Sequence, residues 1–438
     1  MALSQTGGDR SADREIIPQQ ALPDMRVALW RLDAGQDAIR SNRMADAILT
    51  LNAGSSSLKI GLFRVVRAGQ LELAVRAEVD ELATTPRFLA RSATGAVLEQ
   101  LNWPRTAGNF SLLAEQVVAW AARHLGTDRL RAVGHRIVHG SGDHVSPELV
   151  TPHLIAVLEQ MIPLAPLHLP QNLAPIRAIA AAYPELPQVA CFDTAFHHGM
   201  PPVATRFALP AKYEAEGVRR FGFHGLSYEY IVGRLRDVSP RLADGRVIVA
   251  HLGNGASLCA MRSGRSIDTT MGFSVLDGLV MGTRPGTLDA GVVLYLQRHY
   301  RMSVDDVEDL LYRRSGLLGV SGGIGSDMRT LLASPEPAAR AAVELFVYRI
   351  AREAGGLASS LGGLDGIVFT GGIGEHSVPI RAAVAERLAW LGTKLDAPAN
   401  ADNRALLSTI DSRVEVRIIP TDEETMIASH TLEVAAGH

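Results

Sequence analysis

Four segments of the chain place glycine and small polar residues directly after a run of strand-forming residues. Glycine tolerates a positive φ angle and leaves space for backbone N–H groups to approach an anion. Successive N–H groups in such turns form anion-binding nests, and nearby hydroxyl groups add donors. The segments are 52–59 (NAGSSSLK), 251–257 (HLGNGAS), 319–329 (GVSGGIGSDMR) and 370–377 (TGGIGEHS). Together they predict a site for phosphate groups, and therefore a nucleotide-binding protein.

The best-known nucleotide-binding motifs are absent from the sequence. There is no G-x-x-x-x-G-K-[ST] segment, which excludes a Walker-type phosphate loop. The H-R-D and D-F-G motifs of protein kinases are missing, and no early strand carries the G-x-G-x-x-G of a Rossmann unit. The predicted site therefore belongs to another nucleotide-binding fold.

Segments typical of strands and of helices alternate along the chain. Short runs of β-branched and apolar residues predict strands, and longer runs rich in alanine, leucine and arginine predict helices. Strands are predicted at 48–51, 60–66, 132–138, 188–192, 247–252 and 366–370, and helices at 112–125, 172–182, 228–235, 304–312 and 338–361. This alternation is typical of an α/β protein with helices covering its sheets.

A short internal repeat relates two of the glycine segments. Residues 48–58 read as a strand, a glycine turn and the start of a second strand, and residues 247–258 repeat that order. Two similar halves would indicate a duplicated fold with a cleft between them. A repeat this short also arises by chance, so duplication and coincidence are both open at this point.

Composition limits the class of protein. The 438 residues, 47% of them hydrophobic, are enough for two or three packed domains and exclude a mostly disordered chain. A net charge of -3 argues against nucleic acid as a partner. Two cysteines, Cys191 and Cys259, favour a reducing, cytoplasmic compartment. No segment reads as a membrane span or secretory signal, so no membrane partner is expected.

Residues 1–44 differ in character from the rest of the chain. They are polar and charged and show no helical or strand periodicity. We therefore predict a loose N-terminal extension, with the compact fold beginning near Ala45. An alternative is that translation starts at Met44 and that the preceding residues are absent from the mature protein.

From about Ala45 onward, a series of ordered motifs resembles the acetokinase family of the actin/Hsp70/sugar-kinase superfamily. The motifs are NAGSSSLK, GHRIVHG (134–140), PLAPLHLPQN (163–172), FDTAFH (192–197), RRFGFHG (219–225), HLGNGAS, MGTRPG (281–286), SDMR (326–329), FTGGIGE (369–375) and PTDEE (420–424). Their number and order make coincidence an inadequate explanation.

The resemblance implies a duplicated, ribonuclease H-like α/β fold with two domains and an active-site cleft between them. The expected domains are 45–195, joined by a C-terminal helix at 424–438, and a nucleotide-binding and dimerisation domain at 196–423. The implied reaction is reversible, direct in-line transfer of a phosphoryl group from ATP to acetate, giving ADP and acetyl phosphate. The implied cofactor is Mg²⁺ or Mn²⁺, and the implied assembly is a homodimer.

This reaction joins two anions, so cationic side chains should dominate the site. A carboxylate acceptor is already ionised at neutral pH and needs no general base. Arg136 and Arg284 are the main candidates, because a guanidinium group binds a carboxylate or phosphate at two points. By the resemblance, Arg136 orients the substrate carboxylate and Arg284 stabilises the transferring phosphoryl group.

The resemblance assigns three further catalytic and substrate roles. His224 matches a phosphate-contacting histidine, and His168 matches a supporting active-site position. Asp193 matches the acidic catalytic residue, which we expect to hold an arginine or metal-bound water. An apolar wall is expected to seat the methyl group of the acid, formed by Val138, Leu167 and Phe223.

The metal and nucleotide positions follow from the same motifs. Asn52 and Glu423 match the metal-linked pair, consistent with the oxygen ligands that Mg²⁺ prefers. Glu424 is expected instead to form a capping box with Thr421 at the start of the last helix. The expected nucleotide contacts are Lys59, His251, Leu252, Gly253, Asn254, Gly255, Asp327, Met328, Arg329, Gly372, Ile373, Gly374, Glu375 and His376.

The chain departs from the family's motifs at some positions. Leu226 and Tyr228 replace the threonine and histidine of GFHGTSH, and Val275 stands where a proline is common. These changes leave the length of the acid open, so propionate or butyrate are alternatives to acetate. A non-catalytic actin/Hsp70-type ATPase is the alternative from another class.

Overall fold

The computed structural model describes residues 45–54, 57–66, 69–80, 86–103 and 110–437. The predicted loose extension at 1–44 lies outside the described residues, as do Ser55 and Ser56 of the first glycine segment. Strands and helices alternate within the described ranges, and every strand and helix predicted from the sequence is present there.

The elements are numbered in chain order. The strands are β1 (Asp46–Ala53), β2 (Leu58–Val65), β3 (Leu71–Asp80), β4 (Arg87–Ser92), β5 (Val97–Asn102), β6 (Arg129–Ile137), β7 (Glu148–Leu149), β8 (Gln188–Phe192), β9 (Arg246–Leu252), β10 (Ala256–Arg262), β11 (Arg265–Thr269), β12 (Gly366–Thr370) and β13 (Glu415–Ile418). The helices are α1 (Phe110–Leu125), α2 (Pro152–Gln160), α3 (Leu169–Ala182), α4 (Pro202–Thr205), α5 (Ala211–Ala215), α6 (Gly225–Val238), α7 (Pro240–Ala243), α8 (Ala290–His299), α9 (Val304–Arg313), α10 (Gly316–Val320), α11 (Met328–Ala333), α12 (Pro337–Leu361), α13 (Gly371–His376), α14 (Val378–Arg387), α15 (Ala397–Ala401) and α16 (Glu423–Ala436).

Two sheets have the same internal arrangement. The larger sheet has the order β5-β4-β3-β2-β1-β6-β8-β7, and the smaller has β11-β10-β9-β12-β13. In the larger one, β3, β2 and β1 form an antiparallel meander, and β6 and β8 then continue parallel to β1. The smaller sheet repeats this with β11, β10 and β9, followed by parallel β12 and β13. The short sequence repeat therefore marks a duplicated sheet, and not a coincidence.

Helices cover both faces of each sheet, because alternate residues of a strand point to opposite faces. In the smaller sheet, Ile248 and Ala250 pack in the core that includes α12, whereas Val247 and Val249 pack with α6. Strands buried on both faces read as continuous apolar runs, as in QVACF of β8. The parallel strands at the centre of each sheet are therefore held in place by apolar packing on both faces.

The last helix, α16, packs on the larger sheet against β1, β6 and β8. Its buried residues Ile427, Thr431 and Ala435 recur every four positions and form one face. Gly134 in β6 permits this approach, because a Cβ atom there would lie 2.0 Å from Thr431 Oγ1. The division of the chain at residue 195 into two domains stays a prediction.

The predicted capping box at the start of α16 is wrong. Asp422 is the N-cap residue, and its carboxylate accepts a hydrogen bond from the Thr425 N–H at 3.1 Å. Aspartate caps well because its short side chain reaches these free N–H groups. Glu424 is buried and instead accepts a hydrogen bond from Asn52.

None of the helices within the described ranges is both long enough and apolar enough to cross a membrane.

Candidate active site

A cleft of about 490 Å³ lies where parallel strands of both sheets end. Ligands of α/β proteins bind at the carboxyl ends of such strands, where loops can converge on a bound molecule. The cleft is lined by Asn52, Gly54, Ser57, Lys59, Arg136, His224, His251, Gly253, Asn254, Gly255, Gly371, Gly372, Glu375, Thr421, Glu423 and Glu424. Three of the four glycine segments contribute to this lining, and the segment 319–329 does not.

The larger sheet supplies Asn52, Arg136 and Asp193 from the ends of three adjacent strands. Arg136 donates to Asp193 Oδ2 from Nε at 2.9 Å and from Nη2 at 2.5 Å. Its Nη1 donates to Asn52 Oδ1 at 3.2 Å. Asp193 is fully buried, so it holds the guanidinium group from behind and does not line the cleft.

Burial and ion pairing shift the pKa values of Arg136 and Asp193 in opposite directions. Burial alone would lower the pKa of Arg136, but Asp193, Glu423 and Glu424 raise it above the ordinary value. Burial raises the pKa of the Asp193 carboxyl, and contact with Arg136 opposes that rise. Arg136 therefore stays protonated and is held in a fixed orientation beside the cleft.

Two adjacent carboxyl groups from the start of α16 face Asn52. The Asn52 Nδ2 donates to Glu423 Oε2 at 2.8 Å and to Glu424 Oε1 at 3.1 Å. Burial raises the pKa of both, but Arg136, His251 and Lys59 bring the pKa of Glu423 below its usual value. The pKa of Glu424 is raised by its burial. Glu423 therefore has the more strongly favoured carboxylate of the two.

On the smaller sheet, the turn between β9 and β10 brings Gly255 against two predicted catalytic side chains. A Cβ atom at Gly255 would lie 2.9 Å from Arg284 Nη2 and 3.3 Å from His224 Nε2. A larger residue there would have to displace one of these groups. Arg284 and His224 therefore meet at a position that lines the cleft.

Arg284 is a cation without an acidic partner. Its Nη1 donates to the Val275 carbonyl oxygen at 2.9 Å, and no carboxylate in the described ranges forms an ion pair with it. Burial lowers the pKa of Arg284 to about 10, so the group stays protonated at neutral pH. Arg284 is half-buried, and a charge partly removed from water without a counter-ion is unfavourable, which favours an anionic ligand here.

His224 is neutral and held rigidly. It begins α6 in the left-handed region, with φ 58°, and its Nδ1 lies 2.8 Å from Ser257 Oγ. Its ring stacks on His251 with centroids 4.3 Å apart. Burial, the neighbouring His251 and the two arginines lower the pKa of His224 well below its usual value. The ring can therefore donate one hydrogen bond without carrying charge.

Among the predicted acid-binding residues, His168 lies near both arginines. Burial lowers the pKa of His168 to about 3, and Arg284 and Arg136 contribute to the shift. Val138 and Phe223 belong to one buried apolar cluster, and Leu167 packs against it. None of the four lines the cleft itself.

Only some of the predicted nucleotide-binding residues line the cleft. Lys59, His251, Gly253, Asn254, Gly255, Gly372 and Glu375 line the cleft. The others do not line it: Leu252, Met328 and Gly374 are buried, Ile373 is half-buried, and Asp327, Arg329 and His376 are exposed. Asp327 caps α11 by accepting from the Thr330 N–H at 3.0 Å. The nucleotide roles of both groups stay predictions.

Comparison with known proteins identifies the family. The Acetokinase family model matches residues 47–429. A protein named acetate kinase from Rhodopseudomonas palustris is 52% identical over 398 residues, covering 90% of this chain and all of the relative. This chain belongs to the Acetokinase family. It is therefore an enzyme, a carboxylate kinase, and the non-catalytic ATPase alternative is set aside.

Solved structures support the same assignment and confirm the predicted fold class. An acetate kinase from Porphyromonas gingivalis has a TM-score of 0.77 at 34% identity, and the match covers 89% of this chain and 100% of that one. A propionate kinase from Francisella tularensis has a TM-score of 0.79, also at 34% identity and with the same coverage. As a member of this family, the chain uses ATP and ADP as co-substrates.

The donor set in the cleft of this acetokinase fits a magnesium ion. Mg²⁺ is usually held by one or two carboxylates together with water and substrate phosphates. Glu423 supplies an ionised carboxylate at the cleft. Both polar atoms of Asn52 are already engaged, with Arg136 and with the two glutamates. Asn52 is therefore placed to orient Glu423, and direct ligation would require its amide to turn.

Several residues that shape this acetokinase site were not identified from the sequence. Tyr228 and Ser257 contact each other behind His224, and Ser227 holds His251 in the same way. Arg381 is fully buried and donates to the Gly374 and Glu375 carbonyl oxygens, which supports a glycine segment of the cleft from beneath. Local signals existed for Ser257, which falls inside the HLGNGAS motif, and for Ser227 and Tyr228, which lie just after the GFHG motif.

Proposed function

We propose that the chain transfers a phosphoryl group between ATP and acetate, reversibly and directly, with Mg²⁺ as cofactor. The observation that carries this proposal is the arrangement of Arg136, Arg284 and neutral His224 around one cleft. Two guanidinium groups and an uncharged donor suit two anions that must be brought together. The reaction needs no base, because the acceptor carboxylate is already ionised.

Arg136 is proposed to orient the acid. Its Nε and Nη2 are occupied by Asp193, and its Nη1 contacts Asn52. The remaining N–H groups can bind a carboxylate, and Asp193 fixes the plane in which they point. We assign Asp193 this holding role, because a fully buried carboxylate behind the arginine cannot reach the acceptor.

Arg284 and His224 are proposed to stabilise the transferring phosphoryl group. Charge spreads over its equatorial oxygens as the bond to the leaving oxygen lengthens. Arg284 has no carboxylate to compete with those oxygens among the described residues, and His224 can add a neutral hydrogen bond. His168, which lies near both arginines, is proposed to have a supporting role in binding the acid.

The nucleotide phosphates are proposed to lie over the glycine turns at 253–255 and 371–372, with Lys59 nearby. Partial burial would lower the pKa of Lys59, but Glu424 and Glu423 raise it, so the ammonium group stays charged. When bound, the metal would neutralise phosphate charge, and Glu423 is the residue proposed to hold it, directly or through water. Asn52 orients that carboxylate.

Acetate is proposed over longer acids because the more similar relatives carry that name. The relatives from Rhodopseudomonas palustris and Rhizobium meliloti, at 52% and 49% identity, are acetate kinases. The propionate kinase from Francisella tularensis is structurally as similar as the acetate kinase from Porphyromonas gingivalis. Propionate is therefore the second candidate, and the packing of Val138, Leu167 and Phe223 is proposed to decide between them.

The test is a series of acids of increasing length. Acyl phosphate formed from ATP, Mg²⁺ and acetate, propionate or butyrate is trapped as the hydroxamate, and kcat/KM is measured for each acid. We expect acetate to give the highest value, with strong losses in Arg136→Ala and Arg284→Ala. A higher value for propionate would replace acetate as the substrate, and no product from any acid would refute the proposal.

A homodimer and a cytoplasmic location are proposed as well. Helix α8 (AGVVLYLQRH) has no buried residue in the single chain, and Leu294 and Tyr295 are about half exposed. An apolar helix that no other part of the same chain buries suits an interface with a second copy of the chain. Cys191 and Cys259 are unpaired and buried, which suits a reducing compartment.

A further inference from the structure

A chain of three polar groups runs from the interior of the smaller sheet to the cleft. The Tyr228 hydroxyl lies 2.5 Å from Ser257 Oγ, which in turn lies 2.8 Å from His224 Nδ1. Tyr228 and Ser257 are fully buried. The other ring nitrogen, His224 Nε2, points toward Gly255 at the cleft.

The direction of the hydrogen bonds follows from what each group can donate. Burial raises the pKa of Tyr228 well above its usual value, so its hydroxyl keeps its proton. Within the described ranges, Ser257 Oγ is the one partner of this hydroxyl, and an unpaired buried donor is costly. Tyr228 therefore donates to Ser257, whose own hydroxyl proton is left for His224 Nδ1.

This order fixes the tautomer of a neutral histidine. If Nδ1 accepts a hydrogen bond, the single ring proton must be on Nε2. That proton then faces the cleft, where it can be donated to an oxygen of the transferring phosphoryl group. The opposite tautomer would present a lone pair to the same oxygen and repel it.

We propose that Tyr228 is a positioning residue that acts through Ser257 to keep the proton of His224 on Nε2. The inference rests on the proposed function, in which His224 donates to the phosphoryl group.

The kinetic test compares two tyrosine-to-phenylalanine changes on the same helix. Tyr228→Phe removes the first donor of the relay, and Tyr230→Phe, two residues further along α6, is the matched control. We expect Tyr228→Phe to lower kcat about tenfold with little change in KM for acid or ATP, because the lost hydrogen bond acts in the transition state. Tyr230→Phe should keep the wild-type kcat.

The decisive readout is the protonation of the His224 ring, which does not depend on activity. In protein labelled with ¹⁵N-histidine, the His224 signals are identified by their loss in His224→Gln. We expect a protonated Nε2 and an unprotonated Nδ1 in the wild type and in Tyr230→Phe. In Tyr228→Phe and in Ser257→Ala, a fraction of His224 should move to the Nδ1-protonated form.

The outcomes separate the two proposals. A wild type protonated on Nδ1, or a Tyr228→Phe variant with unchanged tautomer, would overturn the positioning role. An altered tautomer with unchanged kcat would overturn its link to the reaction. If the wild type forms no acyl phosphate from any acid, the proposed function fails, and the nitrogen signals still decide the tautomer.

Discussion

Acidification should destabilise this fold through histidines that are buried in the neutral form. Burial lowers the pKa of His135, His139 and His197 to about 4. His197 shows why protonation is unfavourable, because its Nε2 bonds to the Phe223 carbonyl oxygen at 3.0 Å and its Nδ1 to Ser266 Oγ at 2.8 Å. The carbonyl oxygen requires Nε2–H, so Nδ1 must accept from the serine.

The sign and size of the effect follow from the pKa difference between the folded and unfolded states. The unfolded chain protonates each histidine near pH 6.5, whereas the folded chain does so near pH 4, so stability falls as pH falls between these values. Between about pH 7.5 and 5.5, each such group lowers the free energy of unfolding by about 1.3 kcal/mol. Near pH 4 the loss per group reaches about 3 kcal/mol.

The assay is urea unfolding at several pH values for the wild type, His197→Gln and His153→Gln. His197→Gln removes one buried ring, so its free energy of unfolding should fall about 1.3 kcal/mol less than that of the wild type over this range. His153 is exposed in α2, and its replacement is the control, expected to follow the wild type.

If the free energy of unfolding changed equally with pH in His197→Gln and in the wild type, the reasoning would be refuted. The buried ring of His197 would then not be the group that takes up the proton on unfolding. A lower overall stability of the variant does not affect the test, since only the slope with pH is compared.

Three other perturbations test the site. Arg284→Lys should lower kcat by on the order of 10³-fold in steady-state assays, because lysine keeps the charge but loses the two-point fork. Asp193→Asn should lower the free energy of unfolding in urea by about 3 kcal/mol, because it leaves the largely buried guanidinium group of Arg136 without its carboxylate. Glu423→Gln should raise the Mg²⁺ concentration needed for half-maximal activity about tenfold.

Each of these has its own contrary result. Near wild-type turnover in Arg284→Lys would show that charge alone is sufficient there. An Asp193→Asn variant as stable as the wild type would show that Glu423 and Glu424 already balance the arginine. For the metal, Glu433→Gln on the exposed side of α16 is the control, and an equal shift in both variants would remove Glu423 from the metal site.

The central parallel strands could be predicted closely from the sequence, whereas the edge strands could not. Residues 188–192 and 366–370 coincide with β8 and β12, since every residue of these strands is buried and the apolar run is continuous. Strands β3, β4 and β5 were not predicted. Charged residues interrupt the apolar signal of β3 and β4, almost all of β5 is exposed, and all three strands lie toward the edge of the larger sheet.

In the site, too, features contained in a short sequence segment could be predicted, whereas contacts between distant positions could not. Glycine turns are local features, and three of the four segments do line the cleft. Nothing in the segment 319–329 indicates which way it faces, because that depends on how α10 and α11 pack. The contact between Tyr228 and Ser257 joins positions 29 apart, and only the folded sheet brings them together.

The position of α16 has a consequence for synthesis on the ribosome. Ile427 on this helix receives a contact from Cys191 in β8, 236 positions earlier in the chain. Over β1 and β6, one side of the larger sheet therefore lacks its covering helix until translation has passed the whole smaller sheet. During that interval its apolar surface is open to chaperones and to other nascent chains, and final closure of the molecule must follow the emergence of residues 423–436.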